Sequence, residues 1–456
     1  MGRLIVFDNV VEDKLNIIFR NKGCQTGLII GQCTDQKDIA IRLCSTPTKD
    51  DDVHASTAGD ADNSRKSKTN VPDIDEQWIC QHAKQLIRAL PGGLDILGLF
   101  IVAPSEFTTK NQPLLRQVLF SIFKILGKNR SFNLCSSERI LLFICPVTMK
   151  TVCKTYDVSD YKSFANPAEW KLQSGSMKWH RIRCRLAVDI KFPIKSEDAG
   201  LSLQKQIEIG LHPFLENVKE AHAICNGSQR ELVEPLDCSN EGKKSKKKSL
   251  HESDSSSTPS KWHDIELFIP LENNNNISNP EVCECICMMT FKGAVQCRAY
   301  VHSKATVQEA INALKQDIMR SITARFEIHC EDLLLIEEEQ QDPIVVHELP
   351  RRVFAPLPQA DVCVCDYQFH SDTAVDSLDA FKELLNLELS EQDIDTSCEV
   401  SPTTSTLILP DAVEERLSEF GDAPTHSSMN KLFVPVAGVA LAVALAGLSF
   451  FLNSSS

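Results

Sequence analysis

The sequence predicts an α+β protein of two folded parts, followed by one helix that crosses a membrane. Three observations carry this. Short apolar runs with the two-residue period of strands alternate with longer runs of helical period. Two polar stretches without apolar period, 226–260 and 371–431, interrupt that alternation. Residues 432–452, LFVPVAGVALAVALAGLSFFL, hold no ionisable side chain. About 21 residues at 1.5 Å each span about 31 Å, the width of a bilayer core.

In chain order, Leu4–Phe7, Gln25–Cys33 and residues 39–44 have the composition of strands in an N-terminal sheet. Gly27 and Gly31 flank an apolar strand centre, which marks a close backbone approach. Residues 47–70 are polar and predict an exposed loop. A helix then begins, with Asp73 as its cap and Glu76 three residues on, and Ile79, Ala83, Leu86 and Leu90 on one face. Pro91-Gly92-Gly93 stops it. Residues 94–102, LDILGLFIV, are nearly all apolar, as in a strand covered on both sides. A second helix is expected from Asn111, with Pro113 in its first turn and Gly127 at its end.

Residues 140–145 and 151–156 suggest an antiparallel pair joined by Pro146-Val147-Thr148. From Ile182 to Phe192 apolar residues alternate with polar ones, the period of a half-exposed strand. A helix over 203–217 closes the first part. Residues 226–260, with the run Lys243 to Lys248, predict a solvated linker. Beyond it, 264–270, 281–291 and 294–302 suggest three strands. An amphipathic helix over 307–326 carries Ala310, Ile311, Leu314, Ile318, Ile322 and Phe326 on one stripe. Strands near Val353 and over 362–369 complete the second part. The acidic, Ser- and Thr-rich stretch 371–431 predicts a flexible tether with at most one short helix near 375–387.

The tail opens on Leu432 and closes on Leu452, and it is apolar on every face. A buried core helix of a soluble domain fits it poorly, because it is also rich in small residues such as Gly438, Ala440, Ala442, Ala444, Ala446 and Gly447 and ends the chain. The N-terminal MGRLIVFDNVVEDKL has only a short apolar run broken by Asp8, unlike a signal peptide. A span so near the end of the chain inserts after synthesis and leaves the body in the cytosol, so a tail-anchored protein is expected.

At 456 residues with 42% hydrophobic content, the chain can bury sizeable cores. Its net charge of −14 argues against nucleic acid as a partner. Its 18 cysteines are scattered without small-domain spacing, as expected of free, mostly buried thiols in a reducing compartment.

The chemistry-bearing patterns are weak. Cys283, Cys285 and Cys287 alternate, as do Cys363 and Cys365, but without the Cys-x-x-Cys spacing of structural zinc sites. Gly23, Gly27 and Gly31 are spaced too widely for a phosphate-cradling loop. No catalytic, cofactor-binding or metal-binding residue is assigned.

The segment 93–104, GLDILGLFIVAP, resembles the second strand of the JAMM/MPN fold, whose metalloproteases carry Gly-aromatic-Tyr-His-x-His-Pro there. Two imidazoles one residue apart can bind one zinc ion together. Gly98, Phe100 and Pro104 fit that frame, but the ligand positions hold Ile101 and Ala103. The Ser-x-x-Asp that follows in the family falls on Gln112-Pro113-Leu114-Leu115. Aliphatic side chains cannot ligate zinc or polarise its water. The resemblance implies a catalytically empty MPN-like domain over 1–225, a mixed sheet flanked by helices, with a second α+β domain over 261–370.

QTGLIIGQC (25–33), LPGGLDILGLFI (90–101), KTYDV (154–158), AEWKLQSG (168–175), FKGAVQCRAYVHS (291–303), EDLLL (331–335), RRVFAPLP (351–358) and CDYQF (365–369) together resemble the odorant-response-abnormal protein four family. That resemblance implies a non-enzymatic factor without cofactors, held in the endoplasmic reticulum membrane by 432–452. It would assist folding, exit or localisation of a subset of G-protein-coupled receptors, odorant receptors among them. It would also hold the ubiquitin-fold-modifier-specific protease there by pairing of MPN-like domains. An isopeptidase with an unrecognised metal or cysteine centre is the alternative.

Overall fold

The computed structural model describes residues 2–21, 23–49, 74–128, 136–173, 177–237, 262–270, 284–334 and 347–399. The first sheet runs in the order β7-β6-β5-β4-β2-β3-β1-β8. Its strands are β1 (Leu4–Phe7), β2 (Gln25–Cys33), β3 (Lys37–Ser45), β4 (Asp95–Val102), β5 (Glu138–Cys145), β6 (Lys150–Asp157), β7 (Asn166–Pro167) and β8 (Glu169–Leu172). The central strand is β4, antiparallel to β2 and parallel to β5, and every one of its residues is buried. Its continuous apolar run is therefore explained by cover on both faces.

On one face, α2 (Glu76–Arg88) and α4 (Gln112–Lys128) pack Ile79, Leu86, Leu115 and Leu119 against Leu28, Leu99 and Ile101. On the other, α1 (Asn9–Asn21) sets Val11, Leu15 and Ile18 against Ile29, Phe100 and Leu142. The mixed sheet flanked by helices matches the expectation. As expected, Gly27 and Gly31 leave no room for a Cβ, which would land on the carbonyls of Cys44 and Ile39.

A four-stranded sheet follows, ordered β10-β11-β9-β12, from β9 (Trp179–Lys195), β10 (His222–Cys225), β11 (Trp262–Phe268) and β12 (Cys285–His302). Its helices α5 (Leu203–Glu220) and α6 (Val307–Leu333) bury Ile207, Leu211, Ile311, Leu314 and Ile318 against Ile182, Leu186 and Val295. Because β9 pairs with β12 from Trp179–His302 to Lys195–Cys285, this sheet crosses the boundary expected at 225/226. A hairpin of β13 (Arg351–Pro356) and β14 (Cys363–Gln368) joins the first core through Val353, Val364 and Leu357.

Several expectations are corrected. The helices α1 and α3 (Ser105–Lys110) were not expected. The cap of α2 is Asp75, whose carboxylate accepts the Trp78 N–H, while Asp73 lies outside the described residues. Gly127 falls inside α4, one residue short of its end. The strands expected over 281–291 and 294–302 are one 18-residue strand, Cys285–His302, because Lys292 and Gly293 stay paired with Asp189 and Val188. Residues 226–237 are not linker: the Leu236 N–H bonds the Ala305 carbonyl at 2.8 Å, and Leu236 is buried. The rest of that stretch, including Lys243 to Lys248, lies outside the described residues.

Residues 371–399, expected as part of a tether, are folded onto the body. The segment α7 (Ala374–Leu385) packs on β3 and α2, with Phe381, Leu385 and Leu387 buried. Arg42 donates to the carbonyls of Leu385 and Asn386 at 3.0 and 2.7 Å, which locks the end of α7 to the first sheet. Residues 400–431 and the expected span 432–452 lie outside the described residues. Among the described helices none is long and apolar enough to cross a membrane.

The seat of α7 is sensitive to pH. The His82 ring Nε2 meets the Leu384 carbonyl at 2.9 Å, and burial holds this imidazole below the usual histidine range. The unfolded chain therefore binds a proton that the folded chain refuses, so His82's contribution is complete above about pH 6.5 and is lost as pH falls through the folded value. Asp366, whose carboxyl burial pushes up to about 6, has the opposite sign. Wild-type stability relative to His82→Gln is expected to fall between about pH 7.5 and about 5.5 in urea unfolding. A pH-independent difference would contradict this.

Candidate functional site

The positions that the MPN resemblance assigns to metal ligands are all part of the first hydrophobic core. Ile101 and Ala103 lie at the end of β4, and the Ala103 N–H is held by the Ile144 carbonyl at 3.1 Å. Leu115, which stands at the aspartate position, lies on the first turns of α4. All three are fully buried in the same apolar cluster, together with Leu119 and Phe143. Gln112, at the serine position, donates to the Tyr156 hydroxyl at 2.9 Å and accepts from Lys154. Hence the three positions hold buried hydrocarbon where that centre would need lone pairs. Among the described residues no group of three or more His, Cys, Asp or Glu side chains is placed to hold a metal ion.

The cysteine patterns do not supply a centre either. Cys285 and Cys287 are exposed, contrary to the expectation of buried thiols, and Cys283 lies outside the described residues. Cys365 is fully buried against the Arg88 carbonyl, and burial pushes its thiol up to about 11. Cys44 and Cys153 are likewise pushed up to about 12 by burial. Cys145 differs: burial raises it, but hydrogen bonds with Thr148, Val147 and Ser105 outweigh that and hold its thiol below the usual range. Those partners include no histidine, the base that a cysteine nucleophile requires.

The most elaborate polar arrangement is the junction between the two sheets. Asp317 on α6 is fully buried, and both its oxygens are in use. Oδ1 accepts from the Gly92 N–H at 2.8 Å and Arg352 at 2.9 Å, and Oδ2 from the Arg298 N–H at 2.9 Å and Arg352 at 2.8 Å. Burial opposes the charge on Arg352, but Asp317 outweighs it and holds the guanidinium far above its usual value. About two turns further along the helix, Nη2 of Arg325 donates to both carboxylate oxygens of Glu399, at 2.8 and 2.7 Å. Glu399 also accepts the N–H groups of Gln296 and Arg352, both at 2.8 Å. A third pair at the rim joins Arg88 to Glu327 and Glu331, each at 2.8 Å.

Buried charge pairs of this kind hold geometry, because the carboxylates keep all their donors only in one arrangement. Here the arrangement fixes the Pro91-Gly92-Gly93 turn against β12. Gly92 pairs with Ala299, donating to the Arg298 carbonyl at 3.1 Å and accepting from the Tyr300 N–H at 2.9 Å. A Cβ on Gly92 would land on the Ala313 carbonyl, and Gly93 has a φ of 80°. What ends a helix in the sequence is thus also the point where the first sheet docks on the second one. The sequence reasoning missed this junction. Its trace is a polar series on α6, Asp317, Ser321 and Arg325, at the four-residue spacing of a helix face that is otherwise buried.

Comparison with known proteins agrees with the extent of this body. A family model described as ODR4-like, odorant response abnormal 4-like, matches residues 27–396. A human protein named "Protein odr-4 homolog" is 33% identical over 99% of this chain and 99% of its own. A Caenorhabditis elegans protein named "Odorant response abnormal protein 4" is 22% identical over 72% of this chain and 66% of its own. Among solved structures, UfSP from C. elegans superposes with a TM-score of 0.41 at 6% identity, covering 85% of this chain and 57% of that one. A likeness of that size carries no conclusion about function.

Proposed function

Because the chain belongs to the ODR4-like, odorant response abnormal 4-like, family, we propose that it is a non-catalytic adaptor in the trafficking of G-protein-coupled receptors. In this reading 432–452 anchors it in the endoplasmic reticulum membrane with the body in the cytosol. There it assists folding, exit or localisation of receptors, odorant receptors included. It also recruits the ubiquitin-fold-modifier-specific protease through its MPN-like domain.

One observation supports the non-catalytic part most directly. Ile101, Ala103 and Leu115 stand at the three positions that the MPN resemblance assigns to ligands, and all are buried side chains with no donor atom. A frame kept in shape but packed with hydrocarbon suits binding rather than turnover. The anchoring part is supported by the uncharged length of 432–452. The receptor part is supported by the family alone.

The test uses cells that lack this chain. Full-length protein should restore receptor delivery and place the protease in the membrane fraction. Deleting 432–456 should release the chain and the protease together into the soluble fraction and abolish the rescue. A truncated chain that stays on membranes, or rescues fully, would overturn the proposal.

A further inference from the structure

A cavity of about 1220 Å³ lies along the outer edge of the second sheet. β10 is the terminal strand there, hydrogen-bonded to β11 on its inner side. Just past its end the Asn226 N–H bonds the Asp264 carbonyl at 2.7 Å, which sets the direction of the backbone groups. His222 and Ile224 therefore face β11, and Ala223 turns its N–H and C=O outward, toward the cavity that it lines. Among the described residues nothing bonds to these two groups. Arg230 and Leu232 wall the cavity from the loop after β10, and Gln308 and Ile311 from the start of α6.

Lys315 of α6 lines the same cavity and is only 7% exposed. Its ammonium donates to the Lys219 carbonyl at 2.6 Å, one bond for a group with three donors. Buried Arg88, Arg325 and Arg352 each meet a carboxylate at 2.8 Å or less. Among the described residues no carboxylate pairs with Lys315, and burial holds its ammonium below the usual lysine range. Glu234, on the same wall, is already paired with Arg230 at 3.2 Å, and Glu231 is exposed. A buried cation without a counter-charge is costly, so the cavity favours an anion.

We propose that this cavity takes an extended acidic peptide of a partner protein, which adds to β10 as a further strand and sets a carboxylate against Lys315. Strand addition uses the N–H and C=O of Ala223. The volume exceeds the roughly 300–1,000 Å³ of small-molecule sites, which suits a chain segment. Side chains alternate across a strand. Ile265 of β11 packs on the helix side in one core with Ile311, so Phe268, three residues on, points to the opposite face. Phe268 and Leu232 are 53% and 48% exposed where they line the cavity. A peptide whose acidic residue is flanked by apolar ones thus turns the acid toward α6 and its neighbours toward Phe268.

Isothermal titration calorimetry of the full chain in detergent micelles tests the site, with the end-blocked peptide Thr-Val-Glu-Val-Thr as probe. It should bind saturably, and its Gln counterpart at least about tenfold more weakly, because the charge-assisted bond is lost. Lys315→Met should weaken the Glu peptide by a similar factor and erase the difference between the two peptides. Its urea midpoint should be unchanged or raised, because the variant removes an unpaired buried charge. Ala223→Pro removes an outward N–H at an edge, where a strand tolerates proline, and should weaken both peptides. No saturable binding of the Glu peptide, or equal affinity for its Gln counterpart, would overturn the proposal. So would propionate that binds as tightly as the peptide, which marks a carboxylate site without strand addition. A lower urea midpoint for Lys315→Met with unchanged peptide affinity would also overturn it, since Lys315 would then serve only the end of α5.

Discussion

Replacing Asp317 by alanine is expected to cost about 3–5 kcal/mol of folding stability, because it strands a buried guanidinium. Arg352 is fully buried, and Asp317 supplies both its carboxylate bonds. The same change leaves the N–H groups of Gly92 and Arg298 without their acceptor. Against a typical total of about 5–15 kcal/mol, that loss is large. It should appear in urea unfolding as a lower midpoint at unchanged slope. The double substitution Asp317→Leu with Arg352→Met removes both charges, so it should recover much of the loss. A loss in Asp317→Ala below about 1 kcal/mol would show that the pair is not what holds the two sheets together.

Installing the two missing imidazoles is expected to be as damaging and not to create an enzyme. Ile101→His with Ala103→His puts two polar rings into a cluster that offers only apolar neighbours, at about 1–3 kcal/mol for each unsatisfied group. Ala103 is fully buried, so the larger ring also overpacks its site, at about 1–3 kcal/mol more. Leu115 still withholds the third ligand. The double variant should therefore lose stability by thermal unfolding and gain no zinc. A stable variant that binds zinc stoichiometrically would show that the site is only two residues from function, and that the surrounding packing is not committed to its apolar state.

Much of the fold was legible because its strongest elements obey one local rule each. The all-apolar run of β4 declared a central strand, and the stripe from Ala310 to Phe326 declared α6. The alternation from Ile182 to Phe192 declared a strand with one exposed face. Failures came where tertiary context outweighs local pattern. In α1 the buried face is only Val11, Leu15 and Ile18 among charged residues, too sparse to stand out. Lys292-Gly293 looks like a turn, yet pairing with Asp189 and Val188 keeps it extended. A short helix near 375–387 was expected, but the acidic look of the stretch hid its packing, in which Phe381 and Leu385 of α7 complete the first core.

The candidate site divides in the same way. The apolar residues at the resembled ligand positions were legible from the sequence alone, because Ile101 and Ala103 follow Gly98 and Phe100 at fixed spacing. That Leu115 joins them in one cluster required the structure. The junction was not legible, because Asp317 and Arg352 are far apart in sequence and each looks like an ordinary charge in an amphipathic element. Only the fold brings them to the Pro91-Gly92-Gly93 turn.

A non-catalytic MPN-like frame is tested most directly by one measurement on the purified full-length chain: bound zinc by elemental analysis, together with turnover of substrates linked to the ubiquitin-fold modifier. The expected result is substoichiometric zinc and no cleavage, because Ile101, Ala103 and Leu115 offer neither ligands nor a way to polarise water. One tightly held zinc per chain with chelator-sensitive cleavage would contradict it.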